Sequence, residues 1–171
     1  MSTQHPDPSQ LYPLPDLLAQ FNPKVPGIDY GVLDHLVGYS VRRVQILQYE
    51  HFVNTLSQWG ITPPRFSALV IIARNPGLKL TVLSHVLGIA RSGAVVLVDA
   101  LEAMDLVKRI PSPTDRRALG LELTPKGQQE VQAISEVVMR QDAELIKALD
   151  ESEQRQLKTL LDKIIQSRAS S

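Results

Sequence analysis

The residues best suited to bind an anion lie in one short stretch around a Pro-Ser-Pro turn. Lys108 and Arg109 precede the turn, and Arg116 and Arg117 follow it. Such cations neutralise phosphates, and arginine also enters narrow minor grooves. Asp115 stands two residues before Arg117 and would hold it extended through a charge-assisted pair. Taken alone, the stretch is typical of a solvent-exposed turn with a surface ion pair; a loop that contacts DNA is predicted once the elements on both sides of it are assigned.

Charge is unevenly distributed along a chain whose formal net charge is zero. Residues 74–117 hold seven basic and four acidic side chains, net +3, whereas the segment before them nets −1 and the segment after them −2. Positive charge is therefore concentrated on the stretch that carries the loop, which favours a polyanionic partner. Ordinary scatter of charge over a solvated surface is the alternative.

The composition argues against an enzyme. The chain has no cysteine, which removes disulfides, thiolate nucleophiles and zinc-thiolate sites. Its four histidines lack the spacing of a metal site, and no glycine-rich phosphate loop is present. Ser84 and Ser92 have no base partner in the sequence pattern. We predict a protein without catalytic activity, cofactor or metal.

The N-terminal region predicts an arm followed by a long helix. Residues 1–27 hold six of the twelve prolines, so we expect at most one short helix there, from Asp16 to Asn22, lying against another surface such as a second subunit. A helical pattern of apolar residues then covers residues 28–59. No apolar run reaches the roughly 20 residues of a membrane span, and the N-terminus is unlike a signal peptide. We expect a cytoplasmic protein with no membrane partner.

The middle of the chain predicts two short helices, a third helix and a hairpin. Thr62 and Pro63 begin a helix that continues to about residue 74, and a second helix over residues 80–87 ends at Gly88. The third runs from about residue 91 to 104, and alternating strands follow over 106–110 and 118–123. This order is typical of a winged helix-turn-helix, whose recognition helix enters the major groove while the hairpin reaches the backbone.

Two closing helices complete the pattern. Thr124 and Pro125 begin a long helix to about residue 149, and Asp150 with Glu153 has the spacing of a capping box for a last helix to about residue 166. The fold class predicted is mainly α with a small β-hairpin wing. We divide it into an arm over residues 1–27, helical dimerisation regions over 28–59 and 125–171, and a DNA-binding domain over 60–124.

The predicted recognition helix, from about residue 91 to 104, has few charged residues, and its apolar spacing predicts which face is buried. We expect Val95, Val98 and Leu101, with Val96, to pack on the core. The first turn would then face DNA together with one residue further along the helix; these are Arg91, Ser92, Gly93, Ala94 and Leu97. Charge for phosphate binding would be supplied mainly by the wing.

The stretch "GIARSGAVVLVDALEAMDLVKRIPSPTDRRALGLELTPKG" resembles the MarR family of bacterial winged-helix regulators, and so does "GITPPRFSALVIIARNPGLKLTVLSHVLGI". The similarity covers about residues 36–166. It implies a symmetric homodimer, held by the first, fifth and sixth helices, that represses from a pseudo-palindromic operator. With the basic wing residues, the DNA-contacting set is Thr81, Ser84, Arg91, Ser92, Ala94, Lys108, Arg109, Asp115, Arg116 and Arg117. The chain departs from the family at Ala90, often an acidic cap, and at Leu97, often polar or basic.

The resemblance also implies a small anionic or phenolic ligand between the dimer helices and the DNA-binding lobe. Tyr39 and Arg43 lie four residues apart on one predicted helix face, with Arg42 beside them, which suits an aromatic carboxylate. A CoA thioester of such an acid would recruit Arg65 as well, and Trp59 and Phe66 are expected as pocket walls or core. Intersubunit ion pairs or solvent exposure are the alternative for the two adjacent arginines. The alternative function is a winged-helix interaction module without DNA binding.

Overall fold

The computed structural model describes residues 21–111 and 119–169, and six α-helices and three β-strands form its regular framework. The helices are α1 (Val37–Leu56), α2 (Pro63–Arg74), α3 (Leu80–Leu87), α4 (Arg91–Ala103), α5 (Pro125–Leu145) and α6 (Glu151–Ala169). The strands are β1 (Leu78–Lys79), β2 (Val107–Pro111) and β3 (Leu119–Leu123). This is a winged helix-turn-helix between longer N- and C-terminal helices, so the predicted fold class is confirmed.

The long helix predicted over residues 28–59 is divided into three pieces. A 3-10 turn over Gly31–His35 precedes α1, and another over Ser57–Trp59 follows it. Gly31 adopts a left-handed conformation with φ 54°, and Leu36 is extended. Both conformations interrupt the α-helical ladder, which apolar periodicity alone does not reveal. Most of the short helix predicted from Asp16 lies outside the described residues.

The helix-turn-helix has the boundaries that its capping residues predict. Thr62 and Pro63 begin α2, although the Thr62 side chain makes no capping hydrogen bond. Gly88 ends α3 with φ 65°, a left-handed conformation that glycine adopts without steric cost. Asp150 and Glu153 form the predicted capping box at α6, where each side chain accepts a hydrogen bond from the other residue's backbone N–H.

The wing is larger than the predicted hairpin, because β1 adds a third antiparallel strand in the order β1-β3-β2. Lys79 pairs with Gly120, and Arg109 pairs with Leu121. A side chain at Gly120 would come within 2.7 Å of the Gly77 carbonyl oxygen, so only glycine allows the two strands to meet here. The added strand ties the start of α3 to the wing.

The start of α5 is fastened to the turn between α4 and β2. Asp105 makes this turn with φ 58°, and its carbonyl accepts a 2.6 Å hydrogen bond from the Thr124 hydroxyl. The same hydroxyl caps α5 by accepting from the Gly127 N–H at 2.9 Å. A side chain at Gly127 would lie 2.0 Å from the Leu106 carbonyl oxygen. Only glycine therefore fits at position 127, where the first turn of α5 contacts the turn between α4 and β2.

In the part of the chain that the structure describes, no single helix is long and apolar enough to cross a membrane. The adjacent helices α3 and α4 reach that length and composition only when they are taken together, and they are bent by 108° at the break between them.

Candidate nucleic-acid interface

The rotation of α4 about its axis differs from the prediction. Ala94, Val98 and Leu101 are fully buried, and Leu97 is 8% exposed. Val95 and Val96, which were expected to pack on the core, are 37% and 54% exposed. The expectation was wrong because both stripes of the helix are apolar, so periodicity could not choose between them. Leu97 and Ala94 therefore contribute to packing and are not groove contacts.

The outer face of α4 presents Arg91, Ser92, Val95 and Val96 to solvent, with Asp99 further along the helix. A crevice of about 420 Å³ separates this face from the start of α3 and from the wing. Its lining comprises Lys79, Leu80, Thr81, Arg91, Val95, Arg109 and Leu119.

Two residues of this crevice carry positive charge that no other described group neutralises. Lys79 and Arg91 form no ion pair with a described carboxylate, and Thr81 is exposed beside them. The prediction missed Lys79 because it precedes α3 in sequence and reaches the site only through β1. Thr81, Arg91 and Ser92 remain candidates for contacts with DNA.

Ser84 is a poor candidate for the contact that was predicted for it. Its side chain is buried, with 3% of the residue exposed, and its hydroxyl donates a 2.8 Å hydrogen bond to the Thr81 carbonyl. The sequence pattern does not reveal that the hydroxyl of Ser84 forms its hydrogen bond with a carbonyl of its own helix. The Ser84 hydroxyl is therefore satisfied within α3 and does not face a ligand.

Arg109 connects the wing to α4 rather than pointing away from the protein. Its guanidinium donates to Asp99 Oδ1 at 2.6 Å and to Glu102 Oε2, and its backbone N–H donates to Glu102 Oε1 at 3.2 Å. The hydrogen bond that Arg109 donates to Asp99 raises the pKa of the guanidinium above its ordinary value; partial burial opposes this, and the negative charges of Glu102 and Asp99 raise the pKa further. Arg109 is therefore positively charged at neutral pH, as its bridge to the two carboxylates requires.

Lys108 lies on the opposite face of β2 and pairs with Glu122 Oε2 on β3 at 2.9 Å. Lys108 and Arg109, at the base of the wing, thus form ion pairs with carboxylates of their own chain. The expectation that both are available to bind phosphates was wrong. Asp115, Arg116 and Arg117 lie outside the described residues, so their roles stay predictions.

Tyr39 and Arg43 come together as the spacing predicts. The guanidinium carbon of Arg43 lies 5.5 Å from the Tyr39 ring centroid, and the ring of Tyr30 packs 6.3 Å away on Tyr39. The Arg43 Nε atom is buried and has no hydrogen-bond partner among the described residues. Arg42, its neighbour, is exposed.

The other predicted ligand residues lie at the far end of α1. Phe66 packs on Phe52, ring centroids 6.1 Å apart, and Arg65 donates a 2.8 Å hydrogen bond to the Gly60 carbonyl. Roughly 20 Å of helix separates Tyr39 from Phe52, at the α-helical rise per residue. A small aromatic acid therefore cannot touch both groups within one chain.

Trp59 lines a separate cavity of about 270 Å³ beside the end of α4 and the first turns of α5. Among the described residues, no group of histidine and carboxylate side chains has the arrangement of a metal site.

Comparison with known proteins identifies the class of this fold. A family model described as MarR family matches residues 59–118. A putative transcriptional regulatory protein for the hcr operon of Thauera aromatica is 36% identical over 136 residues, covering 79% of this chain and 82% of that protein. The chain belongs to the MarR family. It is a transcriptional regulator, as its relatives are, and the prediction that it is not an enzyme is confirmed by them.

Two solved structures of the transcriptional repressor CouR resemble this MarR-family chain closely. CouR bound to a 23-mer DNA duplex is 33% identical with a TM-score of 0.76, over 81% of this chain and 98% of CouR. CouR bound to p-coumaroyl-CoA is 31% identical with a TM-score of 0.74, over 81% of this chain and 97% of CouR.

The Arg109 bridge should stabilise the fold more than the Lys108 pair does. We expect Arg109→Met to lower the free energy of unfolding by about 1.5 kcal/mol, because a guanidinium with two carboxylates is lost and the carboxylates are left without a counter-charge. Lys108→Met should change it by less than about 0.5 kcal/mol, because that pair is largely exposed. Urea denaturation of both variants measures the difference, and equal losses would contradict the assignment.

Proposed function

We propose that this regulator is a repressor that binds a pseudo-palindromic operator as a homodimer and is released by a small aromatic acid or its CoA thioester. The observation that carries the DNA-binding part is the crevice beside α4, where Lys79 and Arg91 stand without carboxylate partners next to Thr81. Cations and hydroxyls in this place suit phosphates at the edge of a major groove. CouR, crystallised on a DNA duplex, supports this use of the shared fold.

The unpartnered terminal helices support the homodimer. α6 forms no extensive contact with another described element, yet its apolar face, which includes Leu160, Ile164 and Ile165, is at least half exposed. Near the other end of the chain, Val37 and Val41 are also exposed. Apolar stripes of this length are stabilised by packing against a partner, and a second copy supplies the same stripe by two-fold symmetry. Such symmetry places two α4 helices on two half-sites.

A second candidate function is a winged-helix module that binds a protein instead of DNA. The pairing of Lys108 and Arg109 with carboxylates of the same chain and the zero net charge favour it. Salt separates the two candidates, since phosphate contacts release counterions and operator binding weakens steeply as salt rises.

Arg91→Ala should weaken binding to the operator about tenfold or more, which corresponds to the loss of about 1.4 kcal/mol. Lys147→Ala is the matched control, because it removes one positive charge from an exposed side chain at the end of α5 that pairs with Glu144. Its affinity should equal that of the wild type. The measurement is a mobility shift of the DNA flanking the protein's own gene at two salt concentrations.

Equal effects of the two substitutions would remove the crevice from the mechanism. If the protein shifts no DNA at either salt concentration, the protein-interaction function is favoured.

The ligand part of the proposal places an aromatic carboxylate or thioester at Tyr39 and Arg43. The buried Nε of Arg43 offers an unused hydrogen-bond donor, and the Tyr39 ring beside it offers an aromatic surface. The exposed Arg42 would meet the phosphates of a CoA group. The structure of CouR with p-coumaroyl-CoA supports a ligand of this class. Trp59, Arg65 and Phe66 are left out of the site for the aromatic acid, because roughly 20 Å of α1 separates Tyr39 from Phe52, on which Phe66 packs.

Arg43→Ala should abolish ligand-driven release and leave operator binding intact. Calorimetric titration with p-coumarate and with p-coumaroyl-CoA, followed by mobility shifts in their presence, measures both properties. Arg65→Ala is the control for the free acid and should keep the wild-type response to p-coumarate. An unchanged response in the Arg43 variant would exclude this residue from the ligand site.

A further inference from the structure

The face of α4 turned away from the core is apolar in its second turn. Val95 and Val96 are 37% and 54% exposed, whereas Ala94, Val98 and Leu101 on the opposite stripe are fully buried. Residues four apart lie on the same face of a helix, so Arg91 lies next to Val95 and Ser92 lies next to Val96. A recognition helix built in this way offers hydrogen bonds in its first turn and only methyl groups in its second.

The charges around the valines restrict what can cover them. Val95 shares the crevice with Lys79 and Arg91, neither of which has a described carboxylate partner, whereas the nearest acidic residue on α4, Asp99, is held by Arg109. An apolar protein surface would leave both cations unpaired at its edge, at a cost in desolvation. A polyanion with a small apolar group inside a groove satisfies the cations and the valines together.

Among the base edges in the major groove, only thymine presents such a group, its C5 methyl. We infer that Val95 and Val96 read thymine methyl groups, so that each operator half-site carries A·T pairs opposite the second turn of α4. The inference rests on the proposed DNA binding and names the chemistry by which that same site selects sequence. Specificity at these positions then comes from apolar contact rather than from hydrogen bonds.

The experiment compares thymine with uracil, which lacks only the C5 methyl and pairs in the same way. Duplexes bound by the full-length protein are selected from a random library, and the best one is synthesised with thymine or with uracil throughout. The wild type should bind the uracil duplex more weakly by roughly fourfold per contacted methyl, the change in affinity that burial of one carbon group produces.

Variants show whether the valines cause this preference. The double variant Val95→Ala with Val96→Ala should still bind in a salt-dependent way but should bind thymine and uracil duplexes with nearly equal affinity. The matched control is Val82→Ala with Val86→Ala, which trims two exposed valines of α3 that do not line the crevice. It should keep the wild-type ratio. Because all four side chains are exposed, the substitutions should leave the fold intact.

Three results would overturn the inference. If the wild type binds both duplexes equally, no methyl group is read, although the proposed function stands. If the Val95 and Val96 variant keeps the full preference for thymine, the preference comes from another residue or from DNA shape. If the protein selects no duplex at any salt concentration, the proposed DNA binding fails and the inference fails with it.

Discussion

The burial of one stripe of α4 fixes the rotation of the helix on which the function depends. Val98 and Leu101 belong to one buried cluster with residues of α2, α3 and the sheet, including Leu69 and Leu83, and Ala94 on the same stripe is fully buried. Burial of a valine or leucine side chain stabilises the fold by about 2 kcal/mol, and a rotated helix would expose several such side chains at once. Burial of this stripe therefore determines which residues of α4 lie on the exposed face, where they line the candidate interface.

The wing takes its position from the same helix. Arg109 joins β2 to Asp99 and Glu102 on α4, and the Thr124 hydroxyl joins the turn after α4 to the start of α5. These hydrogen bonds link α4 to the base of the wing and to the first turn of α5, so we expect the three to move together. A displacement of α5 would therefore be transmitted to α4 through this junction.

Much of the fold could be predicted from residues that act locally. Gly88, the Thr124-Pro125 pair and the box of Asp150 with Glu153 mark helix ends because they satisfy the backbone there, whatever the rest of the chain does. The alternation of apolar and polar residues predicted the hairpin because successive side chains of a strand point to opposite faces of the sheet. Short-range chemistry thus places most elements.

The errors concern properties that depend on distant contacts. The faces of α4 could not be told apart because both are apolar, and only packing against α2 and α3 selects one. Arg109 on β2 pairs with Asp99 on α4. The sequence around the wing does not show this partner, so Arg109 was predicted to be available for phosphates. The predicted ligand set mixed Tyr39 with Phe66 because nothing in their residue types reveals that a helix holds them apart.

The rotation of α4 is the central claim, and the absence of cysteine from the chain makes it directly measurable. Single variants Val96→Cys and Leu97→Cys, checked for native circular dichroism, are labelled with a thiol reagent under native conditions. The structure predicts rapid labelling at position 96, slowed by bound operator, and labelling at least about tenfold slower at position 97, where opening of the core is needed. Equally rapid labelling at position 97 in the folded variant would contradict the account.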